Sequence, residues 1–240
     1  MAIKGVFFDL GGTLFTYRNI PRQHGALLED TATRLGLPES RGLKKAYAEA
    51  MAAMSAAYAE RDYYLHRDLF REAFTDSLAR IGRDAPAPLV DWYLEAHRES
   101  VFGSLEMKPD CVSTLQGLRA RGQYLCIVSN IDNDMLDPLV TREGLDQYLH
   151  HWTSSETARS CKPHRDFFEL CLRQAGLDAR DVLFVGDSPE HDIAGASALG
   201  MRTALITDEG MPPPLQAGKD TREPDHRIDR LSQLLDIVAS

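Results

Sequence analysis

Four short stretches of this 240-residue chain hold residue types whose spacing suits chemistry. Asp9 follows the apolar run 3–8 and opens the turn Asp9-Leu10-Gly11-Gly12-Thr13-Leu14. Ser129-Asn130 follows the run 124–128, and Lys162-Pro163 precedes a helical pattern starting near His164. Gly186-Asp187-Ser188-Pro189-Glu190-His191-Asp192 follows the run 182–185. An apolar strand ending in a carboxylate and two glycines exposes that carboxylate at the strand's C-terminal edge, where open α/β sheets place their reacting groups. A carboxylate, a hydroxyl and a lysine gathered there could supply one reacting group with a nucleophile, a hydrogen-bond donor and a cation. Each stretch alone has a plainer reading. Asp9 is then a turn former, Ser129-Asn130 a polar strand end, Lys162 a solvated lysine and Asp187 a helix cap. Four in order, each at a strand end or helix start, favour the chemical reading.

The elements that must position these groups alternate along the chain. The pattern predicts strands over 3–8, 124–128, 149–153, 182–185 and 202–206. It predicts helices over 110–121, 133–143, 164–175, 190–199 and 229–238, and a loop over 208–224. Buried apolar strands alternating with helices predict an α/β fold, a parallel sheet covered on both faces. Between about Tyr17 and Leu105 the character changes. Leu27, Leu28, Thr31 and Leu35 share a helical face, as do Tyr47, Met51, Met54 and Tyr58, and then Leu69, Phe70, Ala73, Phe74 and Leu78. Pro38, Gly82 and the Pro86/Pro88 pair separate the segments. About four helices are expected there. The organisation read from this is an α/β core of residues 1–16 and 106–240 with a helical insert of residues 17–105.

The formal net charge of −9 argues against general binding to nucleic acid or anionic membranes. A chain this acidic that handles an anion must supply a local positive site. The four cysteines show no C-x-x-C spacing, which argues against zinc and for reduced thiols. The eight histidines show no metal-ligand spacing, so His150, His151, His164 and His191 read as packed or solvated. No signal-peptide pattern and no membrane-spanning run is present, and the expected location is cytoplasmic.

In order and context, the four stretches resemble the four motifs of the haloacid dehalogenase (HAD) superfamily, the first usually written D-x-D-G-T-L. The resemblance covers nearly the whole chain, with 17–105 in the place of the helical cap. It implies a Rossmann-like, doubly wound parallel sheet with an inserted α-helical, C1-type cap. For the phosphatase-like branch it implies that Asp9 attacks phosphorus and becomes an aspartyl-phosphate. It implies Mg²⁺ held by Asp9, by Asp187 and by the backbone carbonyl of Gly11. Ser129 and Lys162 would bind phosphoryl oxygens, backbone N–H groups at Leu10, Gly12, Thr13 and Asn130 would cradle them, and Asp192 would orient Lys162 or metal-bound water. A helical cap leaves room for a small phosphorylated metabolite rather than a protein substrate. Which metabolite, and the oligomeric state, stay open.

The chain departs from the pattern at Gly11, where the second Asp is the usual general acid/base. Such a group typically contributes about 10²–10⁴-fold. One reading keeps a phosphatase, slow or selective, with Glu190, His191 or a cap residue as substitute. A second is other HAD chemistry. HAD dehalogenases are metal-independent with an aromatic residue at this position, and phosphonatases combine a small residue there with a cap lysine that forms an imine. Lys44 and Lys45 are the only cap lysines before Lys108. A third is a pseudophosphatase that binds a phosphate ligand or protein partner without turnover. The preserved nucleophile and metal carboxylates favour the phosphatase. Hinges are expected near Phe15–Tyr17 and Leu105–Pro109. Tyr17, Arg18 and His24 are expected near the site entrance; the segment 61–67 holds groups that could contact a sugar or an anionic tail, but a solvated interhelical turn with two packed tyrosines is the favoured reading.

Overall fold

In the computed structural model, which describes residues 2–207, 213, 215–216, 218–219 and 221–239, the apolar runs form one sheet. Its strands are β1 (Gly5–Phe8), β4 (Tyr124–Ser129), β5 (His151–Ser154), β6 (Val182–Gly186), β7 (Arg202–Ile206) and β8 (His226–Ile228). All pair in parallel, in the order β5-β4-β1-β6-β7-β8. Side chains alternate between the two faces of each strand. Val6, Phe8, Leu125, Ile127, Leu183 and Val185 join one apolar cluster, with residues from α5 (Cys111–Ala120), α6 (Asn133–Arg142) and α10 (Leu234–Ile237). Phe7, Cys126, Val128, Val182 and Phe184 join a second, with residues from α8 (Arg165–Ala175) and α9 (Ala194–Ala198). Each fully buried large apolar side chain contributes about 1.5–3 kcal/mol. Both faces are thus covered, as near-continuous apolar strands require. All four cysteines are buried and unpaired by disulfides.

The insert forms four helices, α1 (Ile20–Arg34), α2 (Arg41–Tyr58), α3 (His66–Arg80) and α4 (Ala87–Ser104). They bury an apolar cluster of their own, including Leu28, Leu43, Tyr47, Phe74, Val90 and Tyr93. Phe74 and Tyr93 stack there with ring centroids 3.7 Å apart. The two chain crossings lie side by side. β2 (Phe15–Thr16) and β3 (Glu106–Met107) form an antiparallel ribbon, and the Lys108 N–H donates to the Leu14 carbonyl at 2.8 Å.

Besides the short β2 and β3, several elements differ from the sequence reading. The last helix shrinks to a 3₁₀ turn at Leu231–Gln233 and the single turn of α10. The Gln233 side chain accepts the N–H groups of Asp229 and Arg230, a capping contact that sets the start of the turn at Leu231. The helix expected at 190–199 begins as a π-helical turn, Pro189–Ile193, and continues as α9. β8 adds a sheet edge that the reading did not contain. The loop expected at 208–224 lies partly outside the described residues. Among those described, no helix is long and apolar enough to cross a membrane.

Candidate active site

Three neighbouring strands end at one edge of the sheet. β1 lies between β4 and β6, with Phe8 level with Ile127 on one side and Val185 on the other. The residues at and just after those ends, Asp9, Ser129 and Asp187, therefore meet in one crevice. The strand order reverses at β1, with β4 and β5 on one side and β6, reached from β5, on the other, and that switch point is where open α/β sheets bind ligands. α7 (Ser155–Ala158) and the loop after it lead to Lys162. Asn130 fixes the Lys162 backbone: its Oδ1 accepts the Lys162 N–H at 2.8 Å, and its Nδ2 donates to the Lys162 carbonyl at 3.0 Å.

Lys162 Nζ donates to Asp9 Oδ1 and to Asp192 Oδ1, both at 2.6 Å. The Asp192 Oδ2 accepts the Ser188 N–H at 3.0 Å. Asp192 is thus engaged on both oxygens and holds the lysine in place. Burial raises the Asp9 pKa, although Lys162 opposes it. Burial pulls the Lys162 ammonium down, but Asp192 and Asp9 outweigh it and its pKa ends above the usual lysine range. Asp187 is raised well above the usual carboxylate range, by burial first and then by repulsion from Asp9 and Asp192.

Carboxylate oxygens of Asp9, Asp187 and Asp192 lie within 4.8 Å of one another. The Asp187 Oδ2 is buried with no hydrogen-bond partner. Three buried carboxylates face one ammonium, and one oxygen among them has no donor. That donor set fits a hard divalent cation.

A cavity opens above these groups. Asp9, Ser129, Asn130, Lys162, Asp187 and Asp192 line its floor; Tyr17, Tyr64, His66 and His191 line its sides. Haloacid dehalogenase-like hydrolase is the family whose pattern matches, over residues 3–200. The chain belongs to that family.

Two relatives match it over nearly their full lengths. The glyceraldehyde 3-phosphate phosphatase of Methanopyrus kandleri is 29% identical over 251 residues, covering 98% of this chain and 97% of that one. The ribulose-1,5-bisphosphate 5-phosphatase of Halopiger xanaduensis is 30% identical over 244 residues, covering 98% of each. The crystal structure of the HAD-hydrolase YfnB from Bacillus subtilis bound to magnesium superposes with a TM-score of 0.77 at 17% identity, covering 100% of both chains. At that identity the likeness speaks for the HAD fold alone.

Several HAD motif positions take up places that the sequence did not specify. The Asn130 side chain is occupied by Lys162, so only its backbone is left for a phosphate. Leu10 is buried in the main apolar cluster and Thr13 is fully buried, and neither side chain lines the cavity. Gly12 has φ +72°, and a Cβ there would collide with the Asp187 carboxylate. No other residue type suits that position. Lys44 pairs with Glu29 at 2.6 Å and Lys45 lies 3.9 Å from Glu49, so neither cap lysine lines the cavity. That placement gives the phosphonatase reading no imine-forming lysine at the site. Glu190 accepts the Gly218 N–H at 2.8 Å and does not line this cavity. His191 lines it, and burial first, then Lys162, pushes its pKa down to about 4. His24 sits in the helical cluster, 3.1 Å from the Tyr93 hydroxyl, and Arg18 is exposed; neither reaches the cavity.

The segment 61–67 clasps the helical insert to the sheet. Asp132, at the start of α6, accepts the N–H groups of His66 and Arg67 at 2.9 Å each, capping α3 from across the interface. Arg67 also grips Glu156 with two bonds, 2.8 and 3.2 Å. Tyr64 and His66 are held over the cavity by this clasp. Asp132→Ala is expected to lower stability by about 1–2 kcal/mol, the usual range for a lost helix cap. Urea denaturation measures it; an unchanged midpoint would show that the clasp contributes nothing.

Proposed function

We propose that this HAD-like hydrolase is a Mg²⁺-dependent phosphatase that dephosphorylates a small metabolite through an aspartyl-phosphate on Asp9. The observation that carries this reading is the unpartnered, buried Asp187 Oδ2 beside Asp9 and Asp192. A phosphate dianion entering that crevice would face three carboxylates, and one ammonium does not balance them. A Mg²⁺ on Asp9 and Asp187 would supply the missing charge and polarise the phosphoryl oxygens. Asp9 attacks phosphorus. Lys162, tied to Asp9 Oδ1, follows the charge from the nucleophile onto the phosphoryl oxygens. The Ser129 hydroxyl and the backbone N–H groups near Leu10, Gly12, Thr13 and Asn130 hold those oxygens. Residues 17–105 act as a cap on the core of 1–16 and 106–240, with Tyr64 and His66 against the leaving group. The two phosphatase relatives support a small sugar-phosphate substrate.

One observation favours a second reading. The Tyr17 ring fills the space beside Gly11, which matches the aromatic residue of the dehalogenase branch. Phosphate release from small esters and halide release from 2-halo acids, each with and without a metal chelator, separate the two. The phosphatase reading expects phosphate release that the chelator abolishes, and no halide. Chelator-insensitive halide release would replace it with the dehalogenase reading.

A further inference from the structure

A side chain at position 11 has no room in this protein, because Tyr17 is already there. A Cβ added to Gly11 would overlap the Tyr17 Oη and lie 2.7 Å from Cζ and 2.8 Å from Cε1. The Tyr17 ring also passes close to Gly12, 2.9 Å from a Cβ placed there. Tyr17 follows β2, whose pairing with β3 anchors the backbone, and its ring packs against the main apolar cluster. The same side chain lines the cavity floored by Asp9 and Lys162.

We propose that Tyr17 supplies the proton transfers missing at Gly11, and that Gly11 is glycine so that this phenol can approach. The proposal rests on the phosphatase reading above. Tyrosine is an established general acid/base, and a phenol carries a transferable proton on Oη. As Asp9 Oδ bonds to phosphorus, the bond from phosphorus to the leaving oxygen breaks. Its electron pair stays on that oxygen, which takes the Tyr17 Oη proton. The resulting phenolate then takes a proton from water as the water oxygen attacks phosphorus. The Asp9–phosphorus bond breaks with its electrons returning to the carboxylate, and both Tyr17 and Asp9 are restored. The other cavity groups suit this role less well. Lys162 is tied to two carboxylates and the Asn130 amide to the Lys162 backbone. His191, Tyr64 and His66, which also line the cavity, are the competing candidates, but none of them stands beside Gly11.

Tyr17→Phe keeps the ring and removes only Oη. Turnover of an alkyl phosphate is expected to fall about 100-fold or more, within the range of a lost acid/base. With p-nitrophenyl phosphate, whose leaving group needs no proton, the variant should release one equivalent of nitrophenolate in a burst. Slow turnover should follow, because water attack on the aspartyl-phosphate has lost its base. A ring that merely fills space predicts neither effect. Gly11→Asp alone should lower turnover, since the new side chain displaces the phenol. Added to Tyr17→Gly, the same substitution should raise turnover above that of Tyr17→Gly alone. Tyr17→Phe turning over like wild type without a burst, or a burst in His191→Gln alone, would overturn the assignment and leave the phosphatase reading standing. A gain in turnover from Gly11→Asp alone would overturn it as well. Wild type without Asp9-dependent turnover would sink both readings together.

Discussion

Lys162→Met is expected to cost about 10²–10³-fold in turnover and about 3–5 kcal/mol in folding stability. The stability loss comes from what the lysine leaves behind. Asp9 Oδ1 and Asp192 Oδ1 each lie 2.6 Å from its ammonium, and the lysine side chain is almost wholly excluded from solvent. Methionine fills similar volume but leaves two buried carboxylates facing each other, with Asp187 close by. Removing one partner of a buried ion pair is far more damaging than replacing the whole pair. Turnover falls for a separate reason: no ammonium then follows the charge moving from Asp9 onto the phosphoryl oxygens. Urea midpoints and steady-state phosphate release measure the two losses independently. A variant as stable as wild type would show that the three-carboxylate cluster does not depend on this lysine.

Asp9→Asn is expected to reduce turnover to background while leaving the protein at least as stable as wild type in the presence of chelator. Asparagine matches the size of aspartate but is no nucleophile. The stability expectation follows from sign. Burial raises the folded-state pKa of Asp9 above its unfolded value, so the folded protein binds that proton more tightly than the unfolded chain. Stability then falls as pH rises from about 3.9 through the folded pKa. Asparagine has no such cost at neutral pH, and Lys162 keeps its partner Asp192. Lost activity with retained stability is the signature of a group held for chemistry at the expense of folding.

Much of this site is legible in the sequence because strand ends in a parallel sheet are legible. Asp9, Ser129 and Asp187 each follow an apolar run, and parallel register alone brings three such ends together. Lys162 can be placed only approximately, since its position depends on the Asn130 side chain gripping its backbone. Tyr17 could be placed near the entrance but not beside Gly11. That contact depends on how the β2/β3 ribbon aims the ring, and two-residue strands carry no periodicity. β8 was invisible for a similar reason: of its three residues only Ile228 is buried. The last helix is shorter than its pattern suggests: Leu231 and Leu234 are spaced like a helical face, but the Gln233 cap sets its start at Leu231 rather than at Asp229. The clasp of Asp132 on α3 joins residues 66 positions apart, and no local pattern signals it.

The central claim is an Asp9-dependent phosphatase with a divalent cation at Asp9 and Asp187. The most direct measurement is phosphate release from glyceraldehyde 3-phosphate and other small phosphate esters, by wild type and Asp9→Asn, with Mg²⁺ and with chelator. The account predicts release by wild type with Mg²⁺ alone, and none by the folded Asp9→Asn variant. Release that survives in Asp9→Asn, or saturable phosphate-ester binding by wild type without any release, would contradict it.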